Sequence, residues 1–209
     1  MSPLKELCEL PISKRDLAWE KSLAKAFNDS DVFLVEDQPF QGPDGFSYMH
    51  ISSERGERID KEDFLSWCFE SGLGLVLNLK EKKAPDYVFN YGMVWNYLLR
   101  GKFMNEVLEA RESEEDLYVH KISEGYLPKE VRRVVKDYLA MNKIDDAKIS
   151  LVSGGDGTPY ELMWCFPNTE ITKEADKTTL LEAIAWFLPL DYRLIWADSE
   201  ESDLKFQPL

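Results

Sequence analysis

The chain has 209 residues, 44% hydrophobic and 12% aromatic, enough apolar material for one large core or two small ones, which excludes global disorder. A formal net charge of −14 argues against docking on nucleic-acid phosphates or anionic lipid. The three cysteines, Cys8, Cys68 and Cys165, form no CxxC pair and suit a reducing compartment.

Met1-Ser2-Pro3-Leu4-Lys5-Glu6 lacks the apolar region of a signal peptide, and no uncharged run is long enough to span a bilayer. A cytoplasmic location is expected. In chain order, Ser13 or Asp16 can cap a helix carrying Leu17, Ala18, Leu23, Ala24 and Phe27. Val32 to Val35 reads as a short buried strand, and Pro39 to Gly45 as a loop with a Pro-Asp-Gly turn. Phe46 to Ile51 is the next strand. Asp60 caps a helix with Phe64, Leu65, Trp67, Cys68 and Phe69, which exits through Gly72 into an apolar strand over Leu73 to Leu79.

The middle of the chain, Lys80 to Leu127, opens on a basic patch and continues into an aromatic tract from Pro85 to Tyr97. Strand alternation puts Tyr87, Phe89 and Tyr91 on one face, with Gly92 breaking the strand before a short helix from Trp95 to Leu99. Glu106 to Asp116 is strongly acidic and marks a boundary, and Leu117 to His120 reads as a short strand. The expected organisation is an N-terminal module over 1–104, an acidic linker over 105–127 and a C-terminal module over 128–209.

Pro128 suits the first position of a helix carrying Val131, Val134, Val135, Tyr138 and Leu139. Strands follow at Ile149 to Val152 and Tyr160 to Phe166. A helix with Leu180, Leu181, Ile184 and Phe187 stops before Pro189, and Tyr192 to Trp196 is the last strand. Both halves therefore read helix–strand–strand–helix–strand, although few aligned residues are identical. The fold class is α+β: two similar αββαβ modules, each a mixed sheet packed against helices. Either a duplication or the common rhythm of α+β chains accounts for the repeat.

Ser153-Gly154-Gly155-Asp156-Gly157-Thr158 resembles the GGDGT signature of the diacylglycerol-kinase and NAD-kinase superfamily. That resemblance implies a phosphate-binding loop over Gly154, Gly155, Asp156, Gly157 and Thr158, with the Asp serving catalysis. Against it, the chain ends at Leu209 without the large β-rich domain that follows the motif in that family. The aromatic run after Thr158 is also too short for the family's helix. Glycines and Asp-Gly equally supply the positive φ of a hairpin turn, and that reading is preferred.

Tyr87, Tyr91, Trp95, Asn96 and Arg100 are the expected partner-binding surface, because rings beside amides suit recognition and the tract lies outside the repeated elements. His50 and His120 are the only histidines; they are far apart in sequence and belong to no metal-ligand or nucleophile motif. No catalytic residue, metal site or cofactor is expected.

Phe64-Leu65-Ser66-Trp67 followed by Gly72-Leu73-Gly74-Leu75-Val76-Leu77-Asn78 resembles the N-terminal domain of the SseB (enhanced serine sensitivity) family, in which a helix leads into an apolar strand ending near Asn. The helix opening at Leu127-Pro128 is similar to the start of that family's C-terminal domain. The chain departs from the pattern in having Leu79-Lys80 where Asn-Pro is expected, and in the added aromatic tract. The resemblance implies a non-enzymatic bacterial protein and carries no functional residue across. The functional expectation is a binding or adaptor protein, immunity-like, with a basic protein partner; the alternative is a nucleotide- or phosphate-utilising enzyme.

Overall fold

Two compact units, 1–104 and 105–209, each carry their own sheet in this computed structural model. It describes residues 2–79, 84–104, 117–154, 158–167, 174–198 and 205–209.

The first unit begins with a short helix, α1 (Pro3–Cys8), capped by the Ser2 hydroxyl, and a single 3-10 turn over Ile12–Lys14. Neither was expected from the sequence. Helix α2 (Leu17–Asp29) starts at Asp16, whose carboxylate accepts from the Trp19 N–H at 2.9 Å. Its C-terminus is closed by Lys61, whose Nζ donates to the carbonyls of Phe27 at 2.8 Å and Ser30 at 3.0 Å. An ammonium is favourable where unpaired helix carbonyls gather.

Strands β1 (Phe33–Leu34), β2 (Phe40–Gln41), β3 (Ser47–Ser52) and β4 (Glu57–Arg58) follow. The expected loop at Pro39 to Gly45 thus contributes a strand: β2 pairs with β3 through a tight turn in which Gly45 takes φ 86°. Helix α3 (Lys61–Ser71) is capped by Asp60 and ends on Gly72 in the left-handed region. It leads into β5 (Gly74–Leu77), then β6 (Tyr87–Phe89) and α4 (Tyr91–Arg100).

The expected break at Gly92 is not seen. The Asn90 amide oxygen accepts from the Met93 N–H at 2.8 Å, so the helix begins at Tyr91 and runs through the glycine. A side-chain cap at the right spacing outweighs the modest helix penalty of one glycine.

The sheet order is β4-β1-β3-β5-β6, with β2 also on β3; β1 is antiparallel to β3, and β3 is parallel to β5. One sheet face carries Met49, Ile51, Leu75 and Leu77 into a core with Leu4, Leu23, Phe27, Leu65 and Val94 from the helices. Phe27, Phe89, Tyr97 and Phe103 pack ring to ring there.

The second unit opens with β7 (Tyr118–His120), which pairs with a later strand; part of the stretch read as a linker therefore belongs to this sheet. The acidic run over 105–116 lies outside the described residues. Helix α5 (Lys129–Met141) has Pro128 at its cap, one position earlier than expected, and buries Val131, Val134, Val135 and Leu139. Strands β8 (Lys148–Ser153) and β9 (Glu161–Cys165) are antiparallel neighbours; α6 (Glu174–Ala185) leads to β10 (Arg193–Ala197), parallel to β9. A terminal strand, β11 (Gln207–Pro208), pairs with β8.

The two units thus share an αββαβ core, to which each adds different strands. In each, a helix precedes two antiparallel strands, and a second helix returns the chain to a third strand parallel to the second.

Candidate functional site

The parallel pair of the first unit places the carboxyl ends of β3 and β5 side by side, in register from Tyr48 opposite Gly74 to Ile51 opposite Leu77. Residues alternate across a strand, so Met49 and Ile51 enter the helical core while Tyr48, His50 and Ser52 lie on the other face. Ligand crevices in α/β sheets form outside the carboxyl ends of parallel strands. Here a cleft of about 650 Å³ opens there, lined by the α1–α2 segment, the end of β3, and Asn78 and Asp86 after β5. Its volume lies within the range of small-molecule pockets, about 300–1,000 Å³.

Asn78 organises the cleft. It ends β5 with φ 53°, a left-handed conformation that Asn tolerates better than most residues. Its Oδ1 accepts from the Ser53 N–H at 2.9 Å and the Ser52 hydroxyl at 3.1 Å. Its Nδ2 donates to Ser53 Oγ and to Asp86 Oδ2, both at 3.0 Å. One amide therefore ties the ends of both parallel strands to the loop before β6. Ser52 Oγ in turn accepts from the N–H groups of Glu54 at 3.1 Å and Arg55 at 3.4 Å, shaping the turn that carries those two side chains.

Arg15 fixes the opposite side. Its guanidinium donates to the carbonyls of Asp86 at 2.6 Å, Cys8 at 2.7 Å and Leu10 at 3.1 Å, and meets Asp86 Oδ1 at 3.3 Å. It also lies 5.0 Å over the Trp19 ring. A planar fork with five donors can hold three carbonyls from two chain segments at once in a way an ammonium cannot.

His50 lines the same cleft. Its side chain lines the cavity and the residue is 8% exposed, yet its ring makes no hydrogen bond among the described residues. The ring nitrogens are not sealed from solvent, so they are open to a ligand or to water in the cavity. Burial is the largest influence on its pKa and lowers it from 6.5; Glu36 acts the other way and Arg55 adds to the lowering. The ring is neutral at pH 7 and presents one donor and one acceptor.

The sequence-predicted partner surface is corrected. Tyr91, Trp95 and Asn96 are buried, at 0%, 1% and 1% exposure. Phe69 stacks on Tyr91 at 5.5 Å and lies 6.4 Å from Trp95. Asn96 Nδ2 donates to the Lys102 carbonyl at 2.8 Å and its Oδ1 accepts from Arg100 at 3.0 Å, closing the end of α4. Tyr87 is half-buried against Trp19 and Phe89, and burial followed by the nearby Glu20 pushes its phenol up. These side chains pack the fold, and Arg100 alone of the five is exposed.

Gly154 and Thr158 lie in the connection between antiparallel β8 and β9; Gly155, Asp156 and Gly157 lie outside the described residues. Among the described residues the element that follows is a strand, not a helix whose N-terminus could receive phosphate as in nucleotide-binding loops. Beside this connection His120 Nε2 lies 2.8 Å from Ser153 Oγ, with Tyr160 edge-on to the imidazole at 4.9 Å. Among the described residues no carboxylate bonds the second ring nitrogen of His120, the partner that a Ser–His pair needs for catalysis.

Cys8, Cys68 and Cys165 are buried, and burial pushes the Cys68 thiol up to about 12. Among the described residues no group of three or more His, Cys, Asp or Glu could hold a metal ion, and no helix is long and apolar enough to cross a membrane.

No family model, curated protein or solved structure matches this chain.

Proposed function

We propose that the chain is a non-catalytic binding protein whose recognition site is the polar cleft of the first unit. The single observation that carries this reading is His50, which lines the cleft and whose ring nitrogens, open to the cavity, have no hydrogen-bond partner among the described residues. The other polar groups of the floor, Ser52, Asn78, Asp86 and Arg15, are engaged with one another and give a preorganised wall. The same bonding supports the non-catalytic part of the reading. The Ser52 hydroxyl donates to Asn78 and accepts two backbone N–H groups, so it has no base to activate it.

A thermal-shift screen of the full chain tests this, using separate pools of amino acids and peptides, sugars, nucleosides and small carboxylic acids. At one hundred times its Kd a ligand adds about 2.7 kcal/mol, which is readily visible. The expected result is a shift with one pool that is lost in His50→Phe, which fills the cleft without removing the sheet. No shift with any pool, or the same shift in the variant, contradicts the proposal.

A further inference from the structure

Among the described residues, six formally charged side chains line the cleft: Lys5, Glu9, Arg15, Glu54, Arg55 and Asp86. Four of them neutralise one another. Lys5 Nζ lies 3.3 Å from Glu54, and Arg15 lies 3.3 Å from Asp86. Glu9 and Arg55 remain, and neither side chain forms an ion pair among the described residues. Glu9 belongs to the segment that follows α1, and Arg55 to the turn that follows β3. One acid and one base are thus presented to the same cavity from two different parts of the chain, with the open imidazole of His50 on the floor.

This arrangement discriminates among ligand charges. A dianion gains Arg55 but meets Glu9, and a simple cation meets Arg55; like charges brought together in a partly desolvated cleft oppose binding. A molecule with one positive and one negative end satisfies both groups and leaves no charge unpaired. Ile12, 78% exposed at the rim, together with Pro11 and Val35, gives an apolar side chain somewhere to rest.

We propose that the cleft recognises a zwitterion, a free amino acid or short peptide, through Glu9 at its ammonium and Arg55 at its carboxylate, with His50 hydrogen-bonded to the ligand between them. The inference rests on the binding role of the cleft and adds the class of molecule bound. A cleft of about 650 Å³ has room for a dipeptide or tripeptide.

Isothermal titration of the full chain at about pH 7 tests it. The probes are alanine, leucine, dialanine, dileucine, trialanine, N-acetyl-dialanine and dialanine amide; comparing the free amino acids with the peptides fixes the length preferred. At least one zwitterion is expected to bind saturably, and blocking either end to weaken it by about tenfold or more, the loss of one charge-assisted contact. Glu9→Gln is expected to abolish the preference for a free amine and Arg55→Gln the preference for a free carboxylate; both residues are exposed, so the fold is retained.

The inference is overturned if both blocked peptides bind as tightly as the parent, or if both variants bind the parent like wild type. It is also overturned, with the binding role left standing, if no zwitterion binds while another pool gives a shift that His50→Phe removes. Binding of a zwitterion equally to wild type and His50→Phe overturns both readings.

Discussion

At the residue scale, Asn78 and His50 divide the work of the cleft between structure and recognition. Asn78 combines a left-handed backbone with four side-chain bonds, and two substitutions separate these contributions. Asn78→Ala is expected to lower stability by about 2–4 kcal/mol, since buried partners lose their bonds and Cβ without a local hydrogen bond is strained at positive φ. Asn78→Gly is expected to recover roughly 1 kcal/mol of that, the strain part alone. Chemical denaturation measures both, and equal losses would remove the backbone share of the account.

His50 makes a prediction about pH. Its folded pKa lies below 6.5, so between that value and 6.5 the unfolded chain binds a proton that the folded chain does not. Stability therefore rises with pH across this window and falls as the medium is acidified through it. His50→Gln is expected to flatten the slope of unfolding free energy on the acid side of pH 6.5, and an unchanged slope would place the titrating group elsewhere. The sequence disclosed little of this site. His50 stands as a lone histidine far from His120, and the signal that it lines a cavity exists only once residues near 10, 50 and 80 are brought together. Asn78 left a trace, as the Asn closing an apolar strand, but its bonds to Ser53 and Asp86 are tertiary.

At the element scale, the cleft depends on how the α1–α2 segment is held against the sheet. Arg15 carries that attachment through the carbonyls of Cys8, Leu10 and Asp86. Arg15→Met leaves Asp86 half-buried without its cation and is expected to destabilise the protein by about 3 kcal/mol. Hydrogen exchange is expected to rise first in residues 3–12, because those amides belong to the element that is released. Uniform loss of protection would show that the segment is not separately anchored. The turn after β3 is equally constrained. A Cβ on Gly56, at φ 129°, would stand 2.0 Å from the Leu34 carbonyl oxygen, so Gly56→Ala displaces the turn that presents Arg55.

Elements with capping residues and a clear apolar period were legible in the sequence: α2, α3, α5, β3, β5, β8, β9 and β10 stand about where the Ser13-or-Asp16 and Asp60 caps, the Val131–Leu139 stripe and the apolar runs bounded by turn residues place them, with Asp16 the cap of α2. The aromatic tract was misread because strand alternation says which rings share a face but not whether that face meets water. Tyr91 and Trp95 belong to a helix started by the Asn90 cap, and Phe69 of α3 covers them. Short pieces such as β2 and β4 carry no period of their own and form only because β3 and β1 offer edges to pair with.

At the scale of the whole molecule, two units share an αββαβ core, each on its own sheet. In the first, the segment before α2 meets Asn78 and Asp86 around a polar cleft; among the described residues of the second, a hollow of about 190 Å³ lies beside Leu139, Ile144 and Pro208. The charge of −14 belongs to this scale as well. Self-repulsion among so many carboxylates opposes compactness, and raising salt from about 20 to about 200 mM is expected to raise Tm by screening it. A Tm that falls would mean that specific ion pairs outweigh the general repulsion.

The cleft as the binding site is the central claim, and imidazole resonances of the full chain test it most directly. The chain holds two histidines, His50 in the first unit and His120 in the second, so each is a control for the other. During titration with dialanine, the His50 ring signals are expected to move saturably, with one midpoint, while those of His120 stay in place. Movement of His120 alone, or of neither ring when calorimetry shows binding, would contradict the account.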